Sequence, residues 1–408
     1  MNFQPKSIQR IYLYLVGSNT LAASFIWGIN TIFLLDAGLS NFQAFAMNGL
    51  FTLGQVFFEV ATGIIADLYG RRTSYLFGAI TLSFSTLFYY FMWKIHGPLW
   101  GWAIASVMLG LGFTFFSGAL EAWLVDALHA TGFTGSIDGV FGKGQSVGGA
   151  AMLTGSILGG IIAQHTNLGV PYLVRSGVLL INFAIAFFLM KDLGFIPKGG
   201  SNPITQTKRI FSEALEHGLK KPPVRWVMLI SPFLVGVSFY VFYALQPFLL
   251  KLYGNPKAYG IAGLVAALVA CSQIVGGLLS PHIKKLFTHR TTAILSAIFM
   301  GSIILFLVSI SHNFYAVLGL VFLWGLMFSG LTPIKLSYLN SIIPTDQRAT
   351  ILSFDSMLGS SGGIVIQPIL GKVADVSSYP VSYAVAAAVQ LLALPFAFLA
   401  RRHENPGN

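Results

Sequence analysis

The chain has 408 residues, of which 55% are hydrophobic and only 9% charged, with a formal net charge of +11 and a mean hydropathy of +0.74. A water-soluble protein carries about 25% charged residues, so this chain cannot cover its surface in water. The basic balance invites a nucleic-acid partner, but no basic patch alternates with aromatics in a soluble segment, which excludes that class.

A bilayer-spanning helix needs about 20 mostly apolar residues. Twelve such stretches follow one another, at 11–35, 43–66, 73–93, 99–127, 139–163, 170–190, 226–250, 258–281, 291–311, 314–341, 349–373 and 378–400. The connections are mostly short, so neighbouring helices are predicted antiparallel. The predicted fold is an all-α membrane protein of twelve transmembrane helices. Lys6 and Arg10 precede the first stretch as they would a signal peptide, yet it is too long for an h-region and lacks a clear small-residue cleavage site. It is expected to stay as the first helix.

With the N-terminus in the cytoplasm, 18 of the 24 Lys and Arg fall on or near the cytoplasmic side. Lys94, Lys251, Lys257 and Lys372 fall outside, and Arg175 and Lys335 lie within helices. By the positive-inside rule both termini are cytoplasmic, and the chain is expected as a multi-pass protein of the cell (inner) membrane. The single Cys271 excludes an intrachain disulfide and a Cys-based zinc cluster, and the eight His show no H-E-x-x-H spacing. No metal and no cofactor is expected.

Where the second stretch gives way to the third, the chain reads Gly63-Ile64-Ile65-Ala66-Asp67-Leu68-Tyr69-Gly70-Arg71-Arg72. The one long polar connector follows the sixth stretch, over 191–225, with Lys191, Lys198, Lys208, Arg209, Lys220, Lys221 and Arg225. It divides a first half, 1–190, from a second, 226–408, each with six predicted helices.

The halves repeat. Small residues at 144, 148, 151, 155 and 159 of the fifth helix match positions 356, 360, 363, 367 and 371 of the eleventh, with only Gln367 not small. The run from Gly63 to Asp67 likewise matches Gly277 to Pro281, and Arg71-Arg72 match Lys284-Lys285. Internal repeats of this kind are a transporter signature. The small-residue rows put one face of each helix where backbones can approach closely, for sliding or for static packing.

The motif at 63–72, the six-plus-six layout and the basic central connector together resemble the major facilitator superfamily of secondary transporters. Phe58-Glu59-Val60-Ala61-Thr62-Gly63, and Glu121-Ala122-Trp123-Leu124-Val125-Asp126 in the fourth helix, look like a bacterial subgroup of it. The resemblance implies two pseudo-symmetric six-helix bundles. It implies a conformational latch of Gly63, Asp67, Gly70, Arg71, Arg72 and Asp126. Asp67 would face the start of the eleventh helix near Thr345-Asp346, where the helix dipole favours a carboxylate. Arg71 or Arg72 would bridge to Asp126, and Gly70 would permit the turn. Two features of the superfamily's drug/proton antiporters are missing. The fourth helix has no Arg, and the fifth reads Gly155-Ser156-Ile157-Leu158-Gly159-Gly160, with Ser in place of Pro.

An ionisable group at mid-bilayer costs roughly 2.5–3.5 kcal/mol on insertion scales, so each is a functional candidate. The proton or substrate candidates are Glu121, Glu59, Asp355 and Arg175. Glu121 lies five residues before Asp126, about 7.5 Å deeper and about 140° round the helix, so the two carboxylates point apart. Glu121 suits a cavity-facing proton or substrate site, or a static ion pair. Glu59, about 12 Å deeper than Asp67, is a second proton site or a partner for a neighbouring helix. Asp355 shares a helix face with Arg348, which can equally pair with Asp346. Arg175 is placed to bind an anionic substrate or to snorkel outward, and Lys335 is expected to snorkel to the cytoplasmic interface. Cavity-lining candidates are Asn30, Gln55, Tyr240, Tyr243, Gln246, Gln273, Asn340 and Gln367.

Gly139-Val140-Phe141-Gly142-Lys143-Gly144 fails as a phosphate loop. The pattern needs Gly at 137 and Ser or Thr at 144, where the chain has Ile137 and Gly144. Transport should therefore run on gradients. The expectation is a monomeric secondary active transporter, coupled to protons or another ion, that exports a drug or metabolite by alternating access. The alternative is proton-coupled import of a nutrient or metabolite. A membrane enzyme would have to use Glu121, Asp126 and His129, the only local concentration of candidates, and a transport-dead sensor is the remaining reading.

Overall fold

The computed structural model describes residues 4–197, 214–344 and 347–404, with residues 205 and 212 in the gap. Thr345-Asp346 and the connector's Lys198, Lys208 and Arg209 lie outside the described residues. The helices of the first half are α1 (Pro5–Trp27), α2 (Asn30–Asp36), α3 (Asn41–Tyr69), α4 (Arg71–Lys94), α5 (Leu99–Phe116), α6 (Ala119–Ala130), α7 (Ile137–His165) and α8 (Val170–Leu189). Those of the second are α9 (Pro222–Met228), α10 (Ser231–Tyr253), α11 (Tyr259–Lys285), α12 (Arg290–Ile310), α13 (Phe314–Ile342), α14 (Arg348–Val376), α15 (Tyr379–Leu391) and α16 (Leu394–Arg401).

Local chemistry sets the ends. Pro5, Pro171, Pro222, Pro232 and Pro380 sit in first turns, where the missing N–H has no helical partner to lose. Ser136, Asn313 and Ser378 accept hydrogen bonds from Gly139, Ala316 and Val381 and so cap α7, α13 and α15. Gly118, with φ +65°, breaks the fourth span between α5 and α6. Gly70, with φ +99°, lets α3 turn directly into α4.

Ten helices, counting α5–α6, α9–α10 and α15–α16 as single spans, are long and apolar enough to cross a membrane. The α1–α2 pair, bent by 45°, makes an eleventh. The twelfth is α14, which matches α7 at 29 residues but is less apolar, with Arg348, Asp355, Lys372 and Asp375 and four serines along it. The protein is thus a twelve-span, all-helical membrane protein.

The described residues fall into two units. Unit 1 comprises Met1–Gly38, Leu50–Gln206 and Ala258–Ala267, and unit 2 comprises Leu39–Gly49, Thr207–Lys257 and Leu268–Asn408. The units follow the two halves of the chain except for two exchanged pieces, the starts of α3 and α11.

Each unit has a helix crossing so close that a glycine Cβ would fall 1.9 Å from a backbone carbonyl. In unit 1, α7 lies on α1, with Gly155 under Leu21 and Ser24, and Gly159 under the Phe25 carbonyl. In unit 2, α14 lies on α10, with Gly359 against Val235 and Gly362 under the Pro232 carbonyl. The small-residue row read from the sequence included Gly159 and Gly363 but passed one residue beside Gly362, the tightest point of the second crossing.

Candidate functional site

Lys335 and Asp355, two charged residues within the spans of unit 2, meet at one place. Ser231 opens α10, Lys335 follows the helix proline Pro333 on α13, and Asp355 lies two turns into α14. The Lys335 ammonium donates to Asp355 Oδ2 at 2.7 Å and to the Ser231 hydroxyl. That hydroxyl in turn donates to Asp355 Oδ1 at 2.6 Å. Both carboxylate oxygens are therefore satisfied, and the ring is electrically neutral. Each charged side chain is 14% exposed.

Hydrophobic clusters flank the ring. Tyr338, Leu339, Ile351 and Phe354 pack beyond it towards the helix ends, and Ile230, Leu234 and Leu331 pack on the other side. In such surroundings an unpaired charge is expensive, and the pair holds only because its hydrogen bonds are complete. Lys335 accordingly does not snorkel. It turns inward because Asp355 offers it a better partner than the interface does. Asp355 is not paired with Arg348, whose guanidinium donates to the Asn340 carbonyl at 3.2 Å.

The acids of unit 1 stand differently. Glu59 Oε1 accepts from the Ser117 hydroxyl at 2.6 Å, at the helix break beside Gly118. Glu121 is exposed on α6, with Tyr12 of α1 within its electrostatic reach. Arg175 is 2% exposed, and its guanidinium lies over the Phe113 ring at 5.7 Å, so it is buried and does not snorkel.

The polar candidates divide as well. Asn30 accepts from the Tyr172 hydroxyl at 3.1 Å. Tyr240 bonds Ser382, and Gln367 donates to the Gly363 carbonyl at 2.9 Å while its side-chain oxygen is buried without a partner. Gln246 is buried, Gln55, Tyr243 and Asn340 are half-buried, and Gln273 is exposed. A small cleft in unit 2 is lined by Trp324, Gln390, Gly301 and Leu331 among others, and by none of these eight candidates.

At the 63–72 turn, Arg71 forms an ion pair with Asp67 at 2.8 Å. The Arg72 guanidinium donates to the Phe187 carbonyl at 2.6 Å and lies over the Phe187 ring at 5.1 Å. The carboxylate that meets the start of α4 is Asp192, whose Oδ1 accepts from the Arg72 N–H at 2.9 Å. The two arginines thus find Asp67, Asp192 and Phe187, where the resemblance implied Asp126. Asp126 is held nearby, because residues 191–194 dock on α6. Trp123 donates to the Lys191 carbonyl at 2.7 Å, and a Cβ on Gly194 would lie 2.8 Å from the Asp126 carbonyl. Gly70 is required twice over, by its φ and because a Cβ there would overlap the Asp192 carboxylate. Gly63 has open space where a Cβ would stand. The contact expected between Asp67 and residues 345–346 falls outside the described residues.

Asp192 was not singled out in the sequence, although it is an acid at the start of a basic connector. Burial pushes its carboxyl above the ordinary value, against the pull of the Arg72 and Arg71 N–H groups and charges. A raised carboxyl favours the folded state when protonated. Its contribution is therefore full below the unfolded value and is lost as pH rises through the folded one. As pH rises above the ordinary carboxylate value, Asp192→Asn should melt with a flatter pH dependence than the parent, which thermal unfolding of the purified protein across a pH series would read. An unchanged slope would count against it.

The comparisons with known proteins bear on all of this. The family described as Major Facilitator Superfamily matches residues 13–367, with a further match over 285–408. The chain belongs to the Major Facilitator Superfamily. An uncharacterized MFS-type transporter of Bacillus subtilis is 23% identical over 88% of each chain. Another, of Methanocaldococcus jannaschii, is 22% identical over 73% of each. A multidrug resistance protein of Salmonella choleraesuis is 24% identical over 65% of this chain and 63% of its own. Among solved structures, a nucleoside transporter superposes with a TM-score of 0.79 at 11% identity, over 99% of this chain and 100% of that one. A bacterial homologue of the human lysosomal transporter Spinster superposes at 0.75 and 13% identity, over 98% of each. At these identities the structures speak for the fold. This member of the superfamily is a secondary transporter of the membrane, not an enzyme.

Proposed function

We propose that this transporter exports a small organic solute, a drug or a metabolite, by alternating access coupled to protons, with both termini in the cytoplasm and the monomer as the working unit. The observation that carries the coupling is the Lys335–Asp355–Ser231 ring. A carboxylate balanced by an ammonium on another helix has two neutralised states. It is either ionised and paired, or protonated with the lysine released to another anion. Exchange between them couples a proton to the arrangement of α10, α13 and α14. Glu121, exposed on α6, and Glu59 at the α5–α6 break are the proton candidates of unit 1, and Arg175 is its anion candidate.

Export is supported by the likeness to the multidrug resistance relative, while the missing Arg in the fourth helix keeps proton-coupled import of a nutrient as the alternative. The turn at 63–72 acts as the latch, with Asp192 added to the residues that hold it. Asn30, Gln55, Tyr240, Tyr243, Gln246, Gln273, Asn340 and Gln367 stay the cavity-lining candidates.

The test begins with thermal stabilisation against a broad compound library. A ligand that binds only the folded state stabilises it by about 2.7 kcal/mol at 100 times its dissociation constant. Flux of the hit is then measured in proteoliposomes under an imposed pH gradient. Flux should follow the gradient in the parent and lose that dependence in Asp355→Asn or Glu121→Gln. Gradient-independent flux in the parent would refute proton coupling, and hits confined to hydrophilic metabolites would favour the importer.

A further inference from the structure

Arg71, Arg72, Arg290 and Arg348 each give the guanidinium a described acceptor, in Asp67, the Phe187 carbonyl, Ser341 and the Asn340 carbonyl. Arg225 on α9 is different. It is half-buried with its Nε wholly covered, and its guanidinium lies over the Trp226 ring at 4.2 Å. No described residue accepts a hydrogen bond from it. A guanidinium has five N–H donors and no acceptor, and a covered donor without a partner is costly. An anion from outside the chain would relieve that cost.

The surroundings say which anion. α9 packs on α16, with Val224, Val227 and Met228 against Ala400. Lys220, Lys221 and Arg225 therefore share one end of unit 2 with Arg401 and Arg402. None of the five has an ion pair with a described residue. Against Glu213, Glu216 and Glu404, the acids nearest them in the chain, they leave a net positive charge. Glu404 is moreover engaged elsewhere. Its carboxylate accepts from the Arg290 and Thr291 N–H groups at the start of α12, and its side chain is 1% exposed.

Beside the charges the wall is aromatic and apolar. The Trp226 ring stacks on Phe396 at 6.2 Å, and Phe396 stacks on Phe233 at 5.8 Å. That column runs from Arg225 on α9 over α16 and into α10. The Arg402 guanidinium lies over the exposed Phe398 ring at 5.0 Å, and Leu391 and Leu392 at the end of α15 are exposed as well. Cations at the end of a span, beside tryptophan and exposed apolar side chains, match the level where a bilayer passes from headgroups to acyl chains.

We propose that the end of unit 2 where α9 meets α16 binds an anionic phospholipid, with Arg225 as the central ligand of its phosphodiester. Arg401, Arg402, Lys220 and Lys221 supply the field around it, and the exposed Phe398, Leu391 and Leu392 meet the acyl chains. A free phosphate ion could use only the first of these two parts. Phosphatidylcholine fits the second but brings a cation of its own into the first.

The experiment titrates the purified full chain in detergent with phosphatidylglycerol, phosphatidylcholine and inorganic phosphate, and reads bound lipid by native mass spectrometry and melting temperature. Phosphatidylglycerol should bind the parent at least about fivefold more tightly than phosphatidylcholine and raise its melting temperature. Arg225→Gln should weaken that binding about fivefold, and Arg401→Gln/Arg402→Gln should weaken it more, at about fivefold for each charge removed. Lys6→Gln/Arg10→Gln, which removes two exposed charges ahead of the first span of unit 1, should leave it unchanged. Equal weakening by that pair would reduce the effect to general attraction between charges and overturn the site. Inorganic phosphate displacing the lipid at equal concentration would overturn the lipid as the ligand, and so would equal binding of the two lipids. Should Arg225→Gln fail to fold, the exposed pair Arg401→Gln/Arg402→Gln decides the matter by the same reading. No solute and no proton gradient enters the measurement, so its failure and that of the coupling reading at Lys335 are distinguishable.

Discussion

Asp355→Ala is expected to destabilise the protein by about 3–5 kcal/mol, because it strands the Lys335 ammonium among Leu331, Tyr338 and Leu339. Lys335→Met should cost a similar amount, by leaving the carboxylate with only the Ser231 hydroxyl. The double variant Lys335→Met/Asp355→Leu separates structure from function. Replacing both charges by apolar groups of similar volume is often neutral or stabilising, so the melting temperature should return to that of the parent. Coupled flux should not return, because no group remains there to take the proton. If the double variant moves its solute with the parent's pH dependence, the ring only fastens three helices together and the proton travels elsewhere, with Glu121 the next to test.

The spans, their order and the repeat were legible in the sequence because they rest on length and hydropathy, which the bilayer enforces on every residue of a helix. The glycine turn at 63–72 was legible for a similar reason, since Gly70 must adopt a positive φ that other residues avoid. What could not be read was which charges meet. Lys335 and Asp355 are 20 residues apart on different helices, and either reads as a lone charge near the cytoplasmic interface. Their rotation about two helix axes decides whether they pair, and hydropathy carries no information on it. Asp192 was invisible for another reason. It accepts from the backbone N–H of Arg72, a group that almost every residue carries, so the sequence holds no matching partner to look for. The row in the eleventh helix failed by one residue because Ser360-Ser361-Gly362-Gly363 offers four small residues in succession, and a spacing rule cannot choose among them.

That last ambiguity leads to a large expected effect. Gly362 and Gly159 meet the same kind of obstacle in the two units, each with a neighbouring carbonyl where its Cβ would stand, that of Pro232 on α10 and that of Phe25 on α1. A carbonyl oxygen is part of the backbone and cannot rotate away as a side chain can. Gly362→Ala must therefore push α14 off α10, and Gly159→Ala must push α7 off α1. Overpacking costs about 1–3 kcal/mol and occasionally more, and a backbone obstacle places these two at or above the upper end. Gly363→Ala, beside them on the sequence, meets the Phe239 ring at 2.6 Å, which can tilt, and should cost less. Gly177→Ala, with nothing within 4 Å of its Cβ, should cost nothing and gain from lower backbone entropy in the unfolded chain. Melting temperatures of the four variants should thus rank 177 above 363, and 363 above 159 and 362. The order matters more than the sizes. If Gly362→Ala melts with Gly177→Ala, the helices of unit 2 can separate at little cost, and the crossing is a sliding surface. If it melts with Gly159→Ala, both crossings are rigid, and the movements of a transport cycle must be carried by other contacts.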